Sequence, residues 1–145
     1  MKGTIEISAT PERVFAFMTD PARVKSWQPD VVESYAPPEG LRVGSRPRAV
    51  VEEYGRRFEV ELLVLDIVPN ERLVYRMEAP TATGDIEYRL TRLGDRTRLD
   101  QQVTIRLKGL MRVIGPFIMG MIRRKMMSRL ALLRDVIERS GAPTM

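Results

Sequence analysis

No cysteine and no histidine occur among the 145 residues. The first absence excludes a disulfide framework, a thiolate nucleophile and sulfur ligation of a metal, and it suits a reducing compartment. The second removes the commonest metal ligand and the usual general base near neutral pH. Few side-chain metal sites remain, and neither a metal centre nor a cofactor is expected. Aromatic residues are few, 6% of the chain with a single tryptophan, which leaves little stacking surface for single-stranded nucleic acid. Long apolar runs are lacking as well. Residues 109–122 are apolar apart from Arg112, but Gly115-Pro116 interrupts them, and crossing a bilayer takes about 20 such residues. No basic segment leads into an apolar stretch with a small-residue cleavage site, so no secretory signal is read and the expected location is cytoplasmic.

What is present fits one domain over residues 1–145, with 43% hydrophobic residues and enough length to bury roughly two-thirds of the unfolded surface. Basic residues outnumber acidic ones 24 to 19, for a net charge of +5, and all but four of them are arginine. They spread along the chain instead of clustering, so no nucleic-acid partner is expected. Solvated faces are the first reading of this charge, and a phosphate or anionic membrane partner the second.

KGTIEIS alternates, with Ile5 and Ile7 on one face and Thr4, Glu6 and Ser8 on the other, which predicts a half-buried strand. Thr10 and Pro11 supply an N-cap and a first helical residue, and the helix they start turns Val14, Phe15 and Met18 inward. Asp20-Pro21 stops it and opens a second short helix that ends near Trp27. Pro29 then forces extended chain into VVESY, and PPEG breaks that strand. Five further strands are predicted over residues 45–54, 57–68, 71–78, 83–93 and 96–107. Their connectors, Tyr54-Gly55-Arg56, Pro69-Asn70-Glu71 and Leu93-Gly94-Asp95, can supply positive φ, so the strands form an antiparallel meander. Leu73, Tyr75 and Met77, then Ile86, Tyr88 and Leu90, then Leu99, Gln101, Val103 and Ile105 share covered faces, while Arg72, Arg76, Asp85, Glu87, Arg89 and Arg98 face water. The tail is the longest helical pattern, with Ile118, Ile122, Met126, Leu130, Leu133 and Ile137 on one stripe and Gly141 and Pro143 at its end.

Three segments carry a resemblance. IEISATPERVFAFMTDPARVKSWQPDV runs strand, capped helix, Asp-Pro break and tryptophan. LRVGSRPRAVVEEYGRRFEVELLVLDIVPNERLVYRM has a Val-Gly before a strand, a Gly-Arg hairpin, and a proline ahead of an Arg-Leu strand. GDIEYRLTRLGDRTRLDQQVTI ends on a glycine turn followed by Thr-Arg-Leu. Together they resemble the polyketide cyclase/dehydrase and START-like lipid-transfer superfamily over nearly the whole chain. The resemblance implies an α+β helix-grip fold, in which a curved antiparallel sheet of about seven strands wraps a long C-terminal helix and two short helices close one end. It also implies an apolar cavity between sheet and helix. From it follow three readings of function: binding or transport of a small hydrophobic or amphipathic ligand, cyclase/dehydratase-like catalysis on an aromatic or polyketide-type substrate, and a structural or partner-binding role with a filled core.

Candidate ligand contacts are Trp27, at the closure by the short helices, together with Tyr75, Tyr88, Gln101, Phe117 and Met121, which alternation and helix register aim at one space. Each has a plain alternative as core. Methionines Met111, Met119, Met121, Met126 and Met127 crowd the tail, where they serve either as packing or as an adaptable wall. Glu52 and Glu53 are adjacent on a strand and face opposite sides, so they cannot act as a carboxylate pair on one atom. Arg123, Arg124 and Lys125 make a basic face beside the apolar stripe, either solvated or drawn to an anionic membrane.

Overall fold

The computed structural model describes residues 1–38, 40–53 and 55–140. The expectations for Tyr54, for Glu39 in PPEG and for Gly141 and Pro143 fall outside them.

The predicted alternation forms β1 (Lys2–Ile7), and Ile7 is fully buried. Helix α1 (Pro11–Met18) starts where Thr10 Oγ1 accepts a hydrogen bond from the Arg13 backbone N–H. It buries Val14, Phe15, Phe17 and Met18. The Asp20 carboxylate caps a 3₁₀ turn (Pro21–Arg23) by accepting from Ala22 N–H at 3.0 Å. That turn runs directly into the single helical turn α2 (Val24–Trp27). The expected second helix is thus a 3₁₀ turn joined to one α turn.

Strands follow as β2 (Val31–Tyr35), β3 (Arg48–Glu53), β4 (Arg56–Val68), β5 (Arg72–Glu78), β6 (Ala82–Leu93) and β7 (Arg96–Leu107). Asn70 takes φ 67° in the β4–β5 turn and Gly94 takes φ 64° in the β6–β7 turn, the conformations that these connectors were expected to need. The seven strands pair antiparallel throughout, in the order β1-β7-β6-β5-β4-β3-β2. Consequently β1 and β2, neighbours in sequence, lie on opposite edges. Helices α1 and α2 carry the chain from one edge to the other, and this explains two clipped helices where a single long one would leave the concave face open.

A bulge in β4 between Val64 and Asp66 inserts one residue opposite β5 and moves the inward set from Val60 and Val64 to Ile67. Bulges sharpen local twist and bend a strand. The concave face carries Leu73, Tyr88, Leu90, Leu99 and Val103 into the core. On the convex face, Arg76 pairs with Asp85 at 3.2 Å directly across β5 and β6, and Glu87 accepts from both Arg72 and Arg89. Such exposed pairs add about 0 to 1 kcal/mol each, so they keep an arginine-rich surface balanced more than they hold the sheet together.

After a 3₁₀ turn (Gly109–Arg112) comes α3 (Gly115–Ser140), packed on β1 and α2. Its buried stripe is Met126, Leu130, Leu133 and Ile137, and each fully buried aliphatic side chain there contributes about 1.5–3 kcal/mol. The helix crosses β1 over Gly3, where a Cβ would lie 2.8 Å from Met127 Sδ. At its far end Arg13 Nη2 donates to the Ile137 carbonyl at 2.6 Å, tying α1 to the last turn of α3.

Candidate functional site

A cavity of about 100 Å³ lies between the two short helices and the concave sheet. Met18 of α1 and Val24 and Trp27 of α2 form one wall, and Leu73, Tyr75 and Tyr88 of β5 and β6 form the other. The i,i+3 spacing of Val24 and Trp27 puts both on the sheet-facing side of α2. Strand alternation brings Leu73 and Tyr75 to the same concave face. At the rim the Arg48 guanidinium stacks over the Tyr35 ring, 4.7 Å from its centroid. Among the described lining residues the only formal charge is that arginine.

Trp27 is buried, at 3% exposure, yet its indole Nε1–H has no hydrogen-bond partner among the described residues. Buried Trp N–H groups ordinarily find an acceptor, and leaving one unmade costs about 1–3 kcal/mol. In the facing sheet Gln101 Nε2 donates to Tyr88 Oη at 3.1 Å within the core. Burial pushes the Tyr88 hydroxyl up to about 12, with the charge of Arg129 acting the other way. Burial and the neighbouring Tyr88 raise Tyr75 further still. Both phenols are therefore neutral at physiological pH and can donate hydrogen bonds, but neither is poised to exchange a proton there.

Beside the cavity, Asp30 anchors α3 to the chain entering β2. Its carboxylate is 2.8 Å from Lys125 Nζ and also pairs with Arg129, while Lys125 reaches Glu53 at the end of β3. Burial would raise the Asp30 carboxyl, but hydrogen bonds and charge from Lys125 and Arg129 outweigh it and hold the group below its ordinary value. Glu52, on the opposite face of β3 from Glu53, pairs with Arg57 at 2.9 Å.

Of the six expected ligand contacts, Trp27, Tyr75 and Tyr88 meet at the cavity and Gln101 supports it through Tyr88. Phe117 and Met121 do not join them. They are 83% and 47% exposed on the outer side of α3, because the inward positions of that helix are taken by Ile118, Ile122 and Met126. The cavity accordingly sits under α1 and α2 and not under the first half of α3. Lys125 likewise leaves the expected basic face, since Asp30 and Glu53 engage it. Asp30, Val24 and the Arg48–Tyr35 stack were missed. For Val24 the signal was available in its spacing from Trp27, whereas the partners of Asp30 are some 99 residues away. Among the described residues no cluster of acidic side chains is placed to hold a metal ion, and no helix is long and apolar enough to cross a membrane.

This architecture is shared with solved structures. A START superfamily protein from Mycobacterium smegmatis superposes with a TM-score of 0.80 at 17% identity, over 96% of this chain and 97% of that one. The Zhui aromatase/cyclase from Streptomyces sp. R1128 gives 0.79 at 17% identity, over 96% and 93%. A protein from Thermus thermophilus gives 0.78 at 16% identity, over 98% and 99%. At these identities the likeness is one of fold. No curated protein matches the chain in sequence. The family model described as polyketide cyclase / dehydrase and lipid transport matches residues 1–138.

Proposed function

Because the chain belongs to the polyketide cyclase/dehydrase and lipid transport family, we propose that it binds or carries a small hydrophobic or amphipathic molecule in the cavity beneath α1 and α2. The observation that carries this reading is the Trp27 N–H, without a partner among the described residues, in a mostly apolar lining. A ligand with a carbonyl or hydroxyl oxygen that displaced the side chains covering this N–H would accept from it, while its apolar body gains about 25 cal/mol for each Å² removed from water. The Tyr88 hydroxyl accepts from Gln101 and keeps its own proton to donate. About 100 Å³ seats a ring-sized fragment, so a larger ligand requires the Arg48–Tyr35 rim to part. Catalysis on an aromatic or polyketide-type substrate is the competing reading, favoured by the two phenols facing one space, but the tyrosines are held neutral and Arg48 is the one charged residue among the described lining.

Trp27 is the sole tryptophan, so its emission reports this site alone. Titrating a panel of aromatic ketones and phenols should give stoichiometric binding with a shift in that emission and no product. Trp27→Phe, read by calorimetry, should weaken a ketone by about fivefold while leaving its hydrocarbon analogue unchanged, one neutral hydrogen bond being worth about 1 kcal/mol. Repeated turnover, or equal losses for ketone and hydrocarbon, would overturn the proposal.

A further inference from the structure

The 3₁₀ turn before α3 and the first turns of that helix expose a run of apolar side chains. Leu110 and Val113 are 87% and 77% exposed, Phe117 is 83% exposed, and Ile114 and Met121 are nearly half exposed. Ile114, Phe117 and Met121 recur at i, i+3 and i+7, which places them on one helix face. A contiguous apolar surface of this kind marks a place of interaction.

Charge decides the partner. Residues 101–134 hold eight basic residues and no acidic one, whereas the rest of the chain holds 16 basic and 19 acidic residues. Lys108, Lys125, Arg129 and Arg134 are engaged in ion pairs. Arg112, Arg123 and Arg124 are exposed and make no ion pair among the described residues. We propose that this face docks on an anionic lipid bilayer, with Val113, Phe117 and Met121 entering the headgroup boundary and the three arginines reaching lipid phosphates. Arginine stems lie along apolar surface while their heads stay at charged groups, the arrangement of helices that rest in a membrane plane. A second copy of the chain fits the same face poorly. Twofold pairing sets a patch against itself, and here that would oppose arginine to arginine with no carboxylate in the segment to offset them. The inference does not depend on what the cavity holds.

Co-sedimentation with vesicles tests it. The protein should partition onto vesicles of equal parts phosphatidylcholine and phosphatidylglycerol and stay in solution with phosphatidylcholine alone. Arg123→Gln with Arg124→Gln should weaken partitioning about 30-fold, roughly fivefold for each surface charge. Phe117→Ser should weaken it about tenfold. All three positions are exposed, so unchanged melting temperatures will show that the variants are folded. Equal binding to neutral vesicles, no binding at all, or variants that bind as the parent does would overturn the proposal. So would a dimer in analytical ultracentrifugation that Phe117→Ser dissociates, because the face would then belong to a second copy.

Discussion

The buried Tyr88–Gln101 pair shows how one residue fixes the worth of another. Gln101 stands on a strand face otherwise occupied by Leu99 and Val103, and its amide is satisfied through the Tyr88 hydroxyl at 3.1 Å. Tyr88→Phe removes that acceptor and strands the amide, which should cost about 1–3 kcal/mol in urea unfolding. Gln101→Leu in the same background removes the stranded group and should restore a large part of the loss. The coupling is the informative number, because adjacent partners are non-additive in a double-mutant cycle. Simple addition of the two single effects would mean that the amide finds another partner and that the hydrogen bond does not organise this wall. Trp27 is the converse case: its N–H has no partner among the described residues, so the free protein loses none of the described bonds when it becomes phenylalanine.

At the scale of elements, α3 is held by apolar burial in its second half, by the Arg13 bond to its last turn and by the Asp30 clasp near its middle. The folded Asp30 carboxyl sits below its unfolded value, so its contribution is present above the unfolded pKa of about 4 and is lost as pH falls through the folded one. Asp30→Asn should lower stability by about 1–2 kcal/mol at pH 7, a figure discounted from a fully buried pair because Lys125 and Arg129 remain partly exposed. The difference from the parent protein should shrink to nothing in acid. A gap that persists at pH 2 would locate the effect in packing instead. Such a clasp is illegible in sequence, since nothing local announces that Asp30 meets residues nearly a hundred positions on. The strands were legible for the opposite reason: alternation and turn residues are local, and the predicted spans for β4 to β7 match the observed ones within a few residues. The bulge at Val64/Asp66 was hidden by LLVLDIV, which apart from Asp66 is apolar on both faces. The same loss of period misled the reading of Phe117 and Met121. The stripe Ile118, Ile122, Met126, Leu130, Leu133 and Ile137 gives the observed register and turns Phe117 and Met121 outward, but residues 113–122 are apolar on every side, so two outward residues also read as wall.

For the whole molecule the deciding feature is that the first strand, β1, pairs with the last, β7. Ile7, fully buried, pairs in register with Thr97, and Gly3 of the same strand lies under α3. Ile7→Ala should therefore lower global stability by about 2–5 kcal/mol, with native-state hydrogen exchange rising in β7 as well as in β1. Faster exchange confined to β1 would show that this edge opens on its own. Pairing of such large sequence separation also slows folding, because the closure entropy comes before the contacts that reward it. On the ribosome the consequence becomes one of order. The meander from β2 to β6 can zip hairpin by hairpin as it emerges. Strand β1, translated earlier, has no partner until Thr97 follows Ile7, an interval of about 5–20 s at ordinary elongation rates. During that interval Ile5 and Ile7 form an apolar strand with free edges, the segment of this chain that a nascent-chain chaperone would have most reason to hold.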